Sequence, residues 1–430
     1  MWYQYLRVLA QSLIRLYKFS QQLSGGADLQ MYDLLDGMRI IEGSAFVAAP
    51  MGGMTLAQLG ADVIRFDDIG GALDADRWPV TSDGVSLYWA SLNKGKRSIA
   101  VDVRRPEGQE LLQALATAPG PDAGMFITNL PVRGWNSYES LTAKRPDMIM
   151  VSLTGTRDGQ SQVDYTVNAG MGFPMVTGPE GLEGPVNNVL PAWDIAAALS
   201  ISTGLLAAER RRNRTGQGSW LKLSLYDVAL AATAAMGYVA EGALLDEDRK
   251  RIGNDIFGTF GNSFRCSDGR FAMVCMFTTR HVVAVRSLVG KDVLAALEAE
   301  HGVNLLVEAD RYKVRKALAK VLGDWIGARP FAEVAEALDK SGALWGPYRT
   351  FKEMAATTQS HPMFSMIHQP GVGAYPVPGA PFDIADLQRL EPKPAPLLGQ
   401  HTDEILSSIL GLDSGAIARL HDSKVVAGPR

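Results

Sequence analysis

Cysteine and histidine are both scarce in this 430-residue chain, and each scarcity excludes a class of chemistry. Two cysteines, Cys266 and Cys275, cannot build a disulfide framework or a thiolate metal knot, and a reducing cytoplasm is the expected setting. All six histidines lie at position 281 or later, so the first 280 residues hold no HExxH pair and no His-activated nucleophile. No metal site is expected. There is no basic surplus either: 42 Lys and Arg stand against 46 Asp and Glu, for a net charge of −4. Nucleic acid is therefore not an expected partner. Nor is a membrane, because no run of 18 apolar residues occurs. Glycine (44) and proline (22) are near average, which leaves no room for long low-complexity linkers. The P-loop pattern GxxxxGK[ST] and the GxSxG elbow are missing. The first βα turn reads GSAFVAAPMGG in place of GxGxxG, so a nicotinamide dehydrogenase loses its main support.

What is present is an alternation of short apolar runs with amphipathic stretches, the pattern of a parallel sheet covered on both faces. MRIIEG, DVIRFDD, RSIAVDV (97–103), MFITN (125–129) and DMIMVSL (147–153) read as strands. Residues 50–61 and 106–117 read as helices, with Pro50 in a first turn where its missing N–H costs nothing. A long helix begins near Trp193 and runs to about Arg212, stopped by Gly216 and Gly218. GNSFRCSDGRFAMVCMF carries a hairpin signature, helical segments follow (notably 309–326), and 369–381 is Pro- and Gly-rich and extended. The expected division is an N-terminal extension (1–30), a large domain (31–226), a linker and small domain (227–330), and the large domain again (331–430). Leu6, Leu9, Leu13 and Leu16 give the extension a short amphipathic helix, interrupted by Arg7, Arg15 and Lys18. It reads as an addition ahead of the domain start at Met31 and not as a membrane anchor.

Several constellations could carry chemistry. LPAWDIAAALS places Asp194 in the first turn of the long helix, either as an acid opposing the macrodipole or as a carboxylate kept ionised for nucleophilic attack. Asp164, in VDYTVNAG, is either a helix-capping acid or a substrate-positioning carboxylate. Lys94, Lys96, Arg97 and Arg104 cluster around the third strand, and Asn129 and Arg133 follow the fourth. Such groups at strand ends could grip the phosphates of a nucleotide-like ligand or be a solvated strand entrance. GNDIFGTFGNSF (253–264) is either a turn at a domain entry or a mobile loop over an active site.

Taken together, GADVIRFD (60–67), NKGKRSIAVDV (93–103), ITN (127–129), PAWD followed by GLLAAERRRNRTGQG, and PAPLLGQHTDEIL (394–406) resemble the class III CoA-transferases. That is the family of formyl-CoA transferase and α-methylacyl-CoA racemase. The resemblance implies an α/β fold: a Rossmann-like large domain formed by both chain ends, an inserted small α+β domain, and two subunits interlocked as a homodimer. It puts the family's nucleophilic aspartate on Asp194, and CoA contacts on Val47, Ala48, Arg97, Val101, Arg104, Asn129, Arg133 and Asp164. No cofactor is implied beyond the CoA that enters with the substrate. Within the family, EGSAFVAAPMGGMTLAQLGADVIRFD, VDYTVN and VLPAWD look most like members that move CoA between the carbon-1 and carbon-4 carboxyls of mesaconate. The expected partner is then mesaconyl-CoA or a related dicarboxylyl-CoA. The expected chemistry runs through an aspartyl anhydride and an aspartyl-CoA thioester, with backbone N–H groups at the helix start stabilising oxyanions.

Two departures qualify the resemblance. Racemases of the family carry a His just before the acid aligned with Asp164, and here that position is Val163, which argues against racemisation. Many members have an Arg after the second strand for CoA, where this chain has Asp68, and Arg65, Lys94 or Arg97 are the candidate substitutes. Transfer to a separate acid is the alternative activity, and a non-catalytic CoA-binding protein is the more distant one.

Overall fold

Five short apolar runs in the first 154 residues become strands because nearly every residue in them is withdrawn from water. They are β1 (Arg39–Gly43), β2 (Asp62–Asp67), β3 (Arg97–Val101), β4 (Met125–Thr128) and β5 (Ile149–Thr154). Strands buried on both faces read as continuous hydrophobic runs, the mark of parallel sheets in α/β proteins. The computed structural model describes residues 33–385 and 387–429, and the helix expected within the first thirty residues lies outside them. Helix α1 (Ala48–Ala57) follows β1, and α2 (Pro106–Thr117) follows β3. Pro106 occupies the first turn of α2, and Arg105 before it is extended, as a residue preceding proline prefers. Leu112, Leu115 and Ala116 recur at helical spacing and enter the core.

After β5 come the short α3 (Asp164–Ala169) and the 24-residue α4 (Ala192–Thr215), then β6 (Ser219–Ser224). Strands β7 (Phe260–Arg265) and β8 (Phe271–Met276) form the expected hairpin around Ser267–Gly269. Helices α5 (Thr279–Val289), α6 (Arg315–Gly327) and α7 (Phe331–Ser341) follow. The helix expected over 309–326 is broken at Val314, which separates Glu308–Lys313 from α6. Strand β9 (Leu344–Pro347) completes a three-stranded sheet, and β10 (Phe364–Gln369) pairs antiparallel with β11 (Gly373–Pro378). Finally β12 (Val426–Ala427) pairs antiparallel with β3. The main sheet has the order β12-β3-β2-β1-β4-β5-β6, with β1 through β4 running parallel. Its 3-2-1-4-5-6 core is the order of the doubly wound dinucleotide folds, without their glycine fingerprint.

The chain divides into two compact units. The first holds residues 33–150, 205–220 and 362–429, so both ends of the described chain share one core in which Ile64, Phe66, Ile99 and Phe126 join Ile405, Leu406 and Val426. The second holds residues 151–204 and 221–361. Its core packs Phe260, Phe264, Val274 and Met276 of β7 and β8 with Leu318, Leu322, Val334 and Leu338 of α6 and α7. This unit is larger than the expected 227–330. The reason is local: β8 pairs with β9 through Ala272–Pro347 and Cys275–Leu344, so a domain built on β8 cannot end at 330. Among the described residues, no helix is long and apolar enough to cross a membrane.

Candidate active site

Helix α4 starts without a cap of its own, because the residue before it, Pro191, has no side-chain acceptor. Asp164 supplies one from α3. Its Oδ2 accepts from the Trp193 N–H at 2.7 Å and from the Asp194 N–H at 3.1 Å, the second- and third-position donors that a cap ordinarily serves. Asp164 is 3% exposed, and burial pushes its carboxyl above the usual range while the two N–H donors pull the other way. Four residues on, Asn168 accepts from the Trp193 indole N–H at 3.1 Å and donates to Asn187 at 3.1 Å. The Trp193 ring is buried 5.6 Å from that of Phe173. The backbone carrying Asp194 is thus fixed from two directions, and Asp194 itself is half-buried in the first turn.

Asp164 thus serves as the helix-capping acid, with its Oδ2 committed to protein backbone at the α4 start. The N–H groups expected to stabilise oxyanions are committed as well: Ala192 donates to Leu190, Ile195 to Pro191, and those between them to Asp164. None of these four N–H groups is left free to stabilise an oxyanion. Val163 is 45% exposed, and no base stands at that position. We expect Asp164→Ala to cost about 2 kcal/mol, because it orphans two donors at a partly buried helix start. Urea denaturation at fixed protein concentration measures this, and Asp164→Asn, which keeps an acceptor, should lose less.

In the first unit, the carboxyl ends of the parallel strands form the edge at which such sheets bind ligands, and β1 and β4 flank the switch point of the strand order. Asn129, just past β4, reaches across that point. Its Oδ1 accepts from the Ala45 N–H at 2.9 Å and its Nδ2 donates to the Ala45 carbonyl at 2.7 Å. This pair of hydrogen bonds holds the turn leading to Val47, which is half-buried, and Ala48, which opens α1 and is buried. The turn is strained at Phe46, whose φ of 66° is rare for an aromatic residue. The Phe46 ring lies 5.2 Å from the Arg77 guanidinium. Nothing in the sequence marks Phe46 out. Asn168 could have been found, since it lies four residues from Asp164 on the same helical face.

The basic cluster of the third strand does not act as one group. Arg97 opens β3 at the amino edge, donating to Asp62 at 2.8 Å and to Glu404 at 3.0 Å, so it is removed from the list of phosphate contacts by position and by pairing. Val101 is fully buried in the core and offers no side chain to a ligand. Lys96 is buried against Glu42 at 2.7 Å, and Arg65 is buried against Asp67, Asp74 and Asn93, so Arg65 cannot substitute for a CoA-binding Arg at Asp68. Arg104 is placed differently. Its side chain is 76% exposed beyond the carboxyl end of β3, 3.1 Å from Asp102 and 3.7 Å from Asp68. Arg133, past β4, is also exposed. The Gly-rich segment 253–264 is anchored and not a free loop, because buried Asp255 pairs with Arg315 at 3.2 Å and Lys316 at 3.0 Å. Among the described residues, no group of three or more His, Cys, Asp or Glu is arranged to hold a metal ion.

Comparison with known proteins adds independent findings. The sequence model of a family described as CoA-transferase family III matches residues 35–402. A 2-methylfumaryl-CoA isomerase of Chloroflexus aurantiacus is 52% identical over 405 residues, covering 93% of this chain and 99% of that protein. A succinyl-CoA:glutarate CoA-transferase of Mus musculus is 27% identical, covering 91% of this chain and 90% of its own. Among solved structures, a CAIB/BAIF family protein from Brucella suis matches with a TM-score of 0.72 at 27% identity, covering 87% of this chain and 99% of that one.

Proposed function

Because the chain belongs to CoA-transferase family III, we propose that it moves CoA between the carbon-1 and carbon-4 carboxyls of mesaconate within one substrate molecule. The observation that carries the chemistry is Asp194, a half-buried carboxylate in the first turn of α4 whose backbone is clamped by Asp164. The choice of substrate is supported by the 52% identity to a 2-methylfumaryl-CoA isomerase.

Asp194 attacks the thioester carbonyl, giving a mixed anhydride and CoA thiolate. The thiolate attacks the aspartyl carbonyl of the anhydride, leaving an aspartyl-CoA thioester and free mesaconate. The carbon-4 carboxylate then attacks that thioester, and the released thiolate takes the carbon-4 acyl group from the second anhydride, which frees Asp194. Each step exchanges one activated acyl group for another, so the cycle needs neither metal nor redox cofactor. Water must be kept from the anhydrides. Asp164 is a positioning residue: by satisfying the α4 start it also offsets the helix's positive end, leaving the Asp194 carboxylate less stabilised and the better nucleophile. The working enzyme is a homodimer. Purified protein given mesaconyl-CoA and no added acid should interconvert the two thioester isomers, followed by chromatography. Turnover only when a second acid is supplied contradicts the proposal. It would favour the intermolecular reading, which the similarity to a succinyl-CoA:glutarate CoA-transferase supports.

CoA phosphates are held at the carboxyl edge, with Arg104 and Arg133 as the available cations. Arg104→Ala should weaken CoA binding by about tenfold, the loss of one charge-assisted contact. Arg97→Ala should change it less than about twofold. Calorimetric titration with CoA reads both, and equal losses would contradict this division of roles.

A further inference from the structure

At the opposite, amino edge of the strands lies a cavity of about 230 Å³, reached from the segments that precede β1, β2 and β3. Lys94 lines it, is only 6% exposed, and makes no hydrogen bond or ion pair among the described residues. That distinguishes it from Lys96, whose ammonium is satisfied by Glu42, Pro50 and Asn93. The titratable groups that share the cavity are Asp33, Asp36, Glu391 and Lys393, all on its exposed rim, and none pairs with Lys94. The Lys94 turn is held to the C-terminal segment by the Gly95 N–H, which donates to Pro394 at 3.2 Å.

We infer that the ε-amino group of Lys94 is an acylation site for short acyl-CoA thioesters, with the cavity receiving the acyl group. A buried amine with no counter-charge favours its neutral form, and the neutral form is the nucleophile. Burial alone pulls the Lys94 amine down to about 8. The Nζ lone pair forms the new N–C bond with the thioester carbonyl and the C–S bond breaks. CoA leaves as thiolate, and the proton lost from nitrogen passes to it or to water. The product is an uncharged amide, which a buried position accepts more readily than an ammonium. The inference goes beyond the proposed isomerisation, and its donor is supplied in solution.

The test incubates the full-length native protein with acetyl-CoA across pH 7 to 10 and follows each lysine by peptide mass spectrometry. At pH 7.5 an ordinary exposed lysine is neutral roughly a hundredfold less often than a group titrating near 8. Allowing for the lower nucleophilicity of a less basic amine, Lys94 should be acetylated about tenfold faster than exposed Lys313 and Lys340. Its rate should level off above pH 8 while theirs continues to rise. Modification no faster than at those two residues, or a rate that rises with theirs to pH 10, would overturn the inference. Running Asp194→Asn alongside separates the two readings. Lys94 labelling that persists in this variant supports direct attack on the thioester, whatever happens to isomerisation. Labelling that vanishes with Asp194 overturns direct attack.

Discussion

Asp194→Asn is expected to lower the rate of thioester isomerisation by at least about 10³-fold, equivalent to about 4 kcal/mol of barrier. The amide has the shape of the carboxylate and can keep a hydrogen-bonding partner, yet it has no anionic oxygen to attack the thioester. Helix α4 should be unaffected, since its start is capped by Asp164 through the backbone N–H groups of Trp193 and Asp194, which the substitution leaves in place. The variant should therefore fold with an unchanged circular dichroism spectrum and bind CoA within about twofold of the native protein. Hydroxylamine added during turnover should mark Asp194 in the native chain and leave the variant unmarked. Activity within tenfold of native would exclude Asp194 as the nucleophile.

The second large effect concerns stability. Lys96→Met is expected to destabilise the protein by about 3–5 kcal/mol, the cost of leaving one partner of a buried ion pair alone. Lys96 and Glu42 side chains are both fully buried, and Lys96 is the charge partner of a carboxylate that also accepts from Ser44 at 2.7 Å. The second Glu42 oxygen has no hydrogen-bond partner among the described residues, so removing Lys96 leaves the desolvated charge with the Ser44 hydroxyl and the more distant field of Arg65 but no ion-pair partner. That oxygen lies 1.7 Å from where a Cβ would stand on residue 53, which explains why α1 carries a glycine against β1. Against a typical stability of about 5–15 kcal/mol the loss is large. The double variant Lys96→Met with Glu42→Gln should recover much of it, because the uncompensated charge is gone. Urea midpoints at one protein concentration measure the cycle, and a single-variant loss under 1 kcal/mol would show that the pair is not a buried charge pair in solution.

Strands β1 to β5 were legible in the sequence because parallel strands covered on both faces carry short apolar runs, although Glu42, Arg65 and Asp67 are buried within β1 and β2. Strand β6 was not, since SWLKLS is only partly buried and carries no such run. Two-residue β12 is too short to leave a pattern and exists because the chain end returns to β3. Asp194 was legible as a helix-start acid, and only the order of family motifs put the proposed nucleophile on it. The work of Asp164 was hidden, because its donors lie 29 and 30 residues away and are backbone groups that any sequence would supply. The basic cluster misled for a geometric reason. Arg97 and Val101 are the two ends of one strand, about 13 Å apart, so neighbours in sequence face opposite edges of the sheet. Arg104, past the carboxyl end, was the one cation of the four placed where parallel sheets bind ligands.

The proposed transfer, in which CoA changes carboxyl without the acid leaving its site, is read by an isotope-exchange experiment. Isotopically labelled mesaconyl-CoA is incubated with the protein and an excess of unlabelled mesaconate, and the label in both thioester isomers is followed by mass spectrometry. The isomers should reach equilibrium while nearly all the thioester remains labelled. Loss of label from the thioester pool as fast as the isomers interconvert would contradict intramolecular transfer.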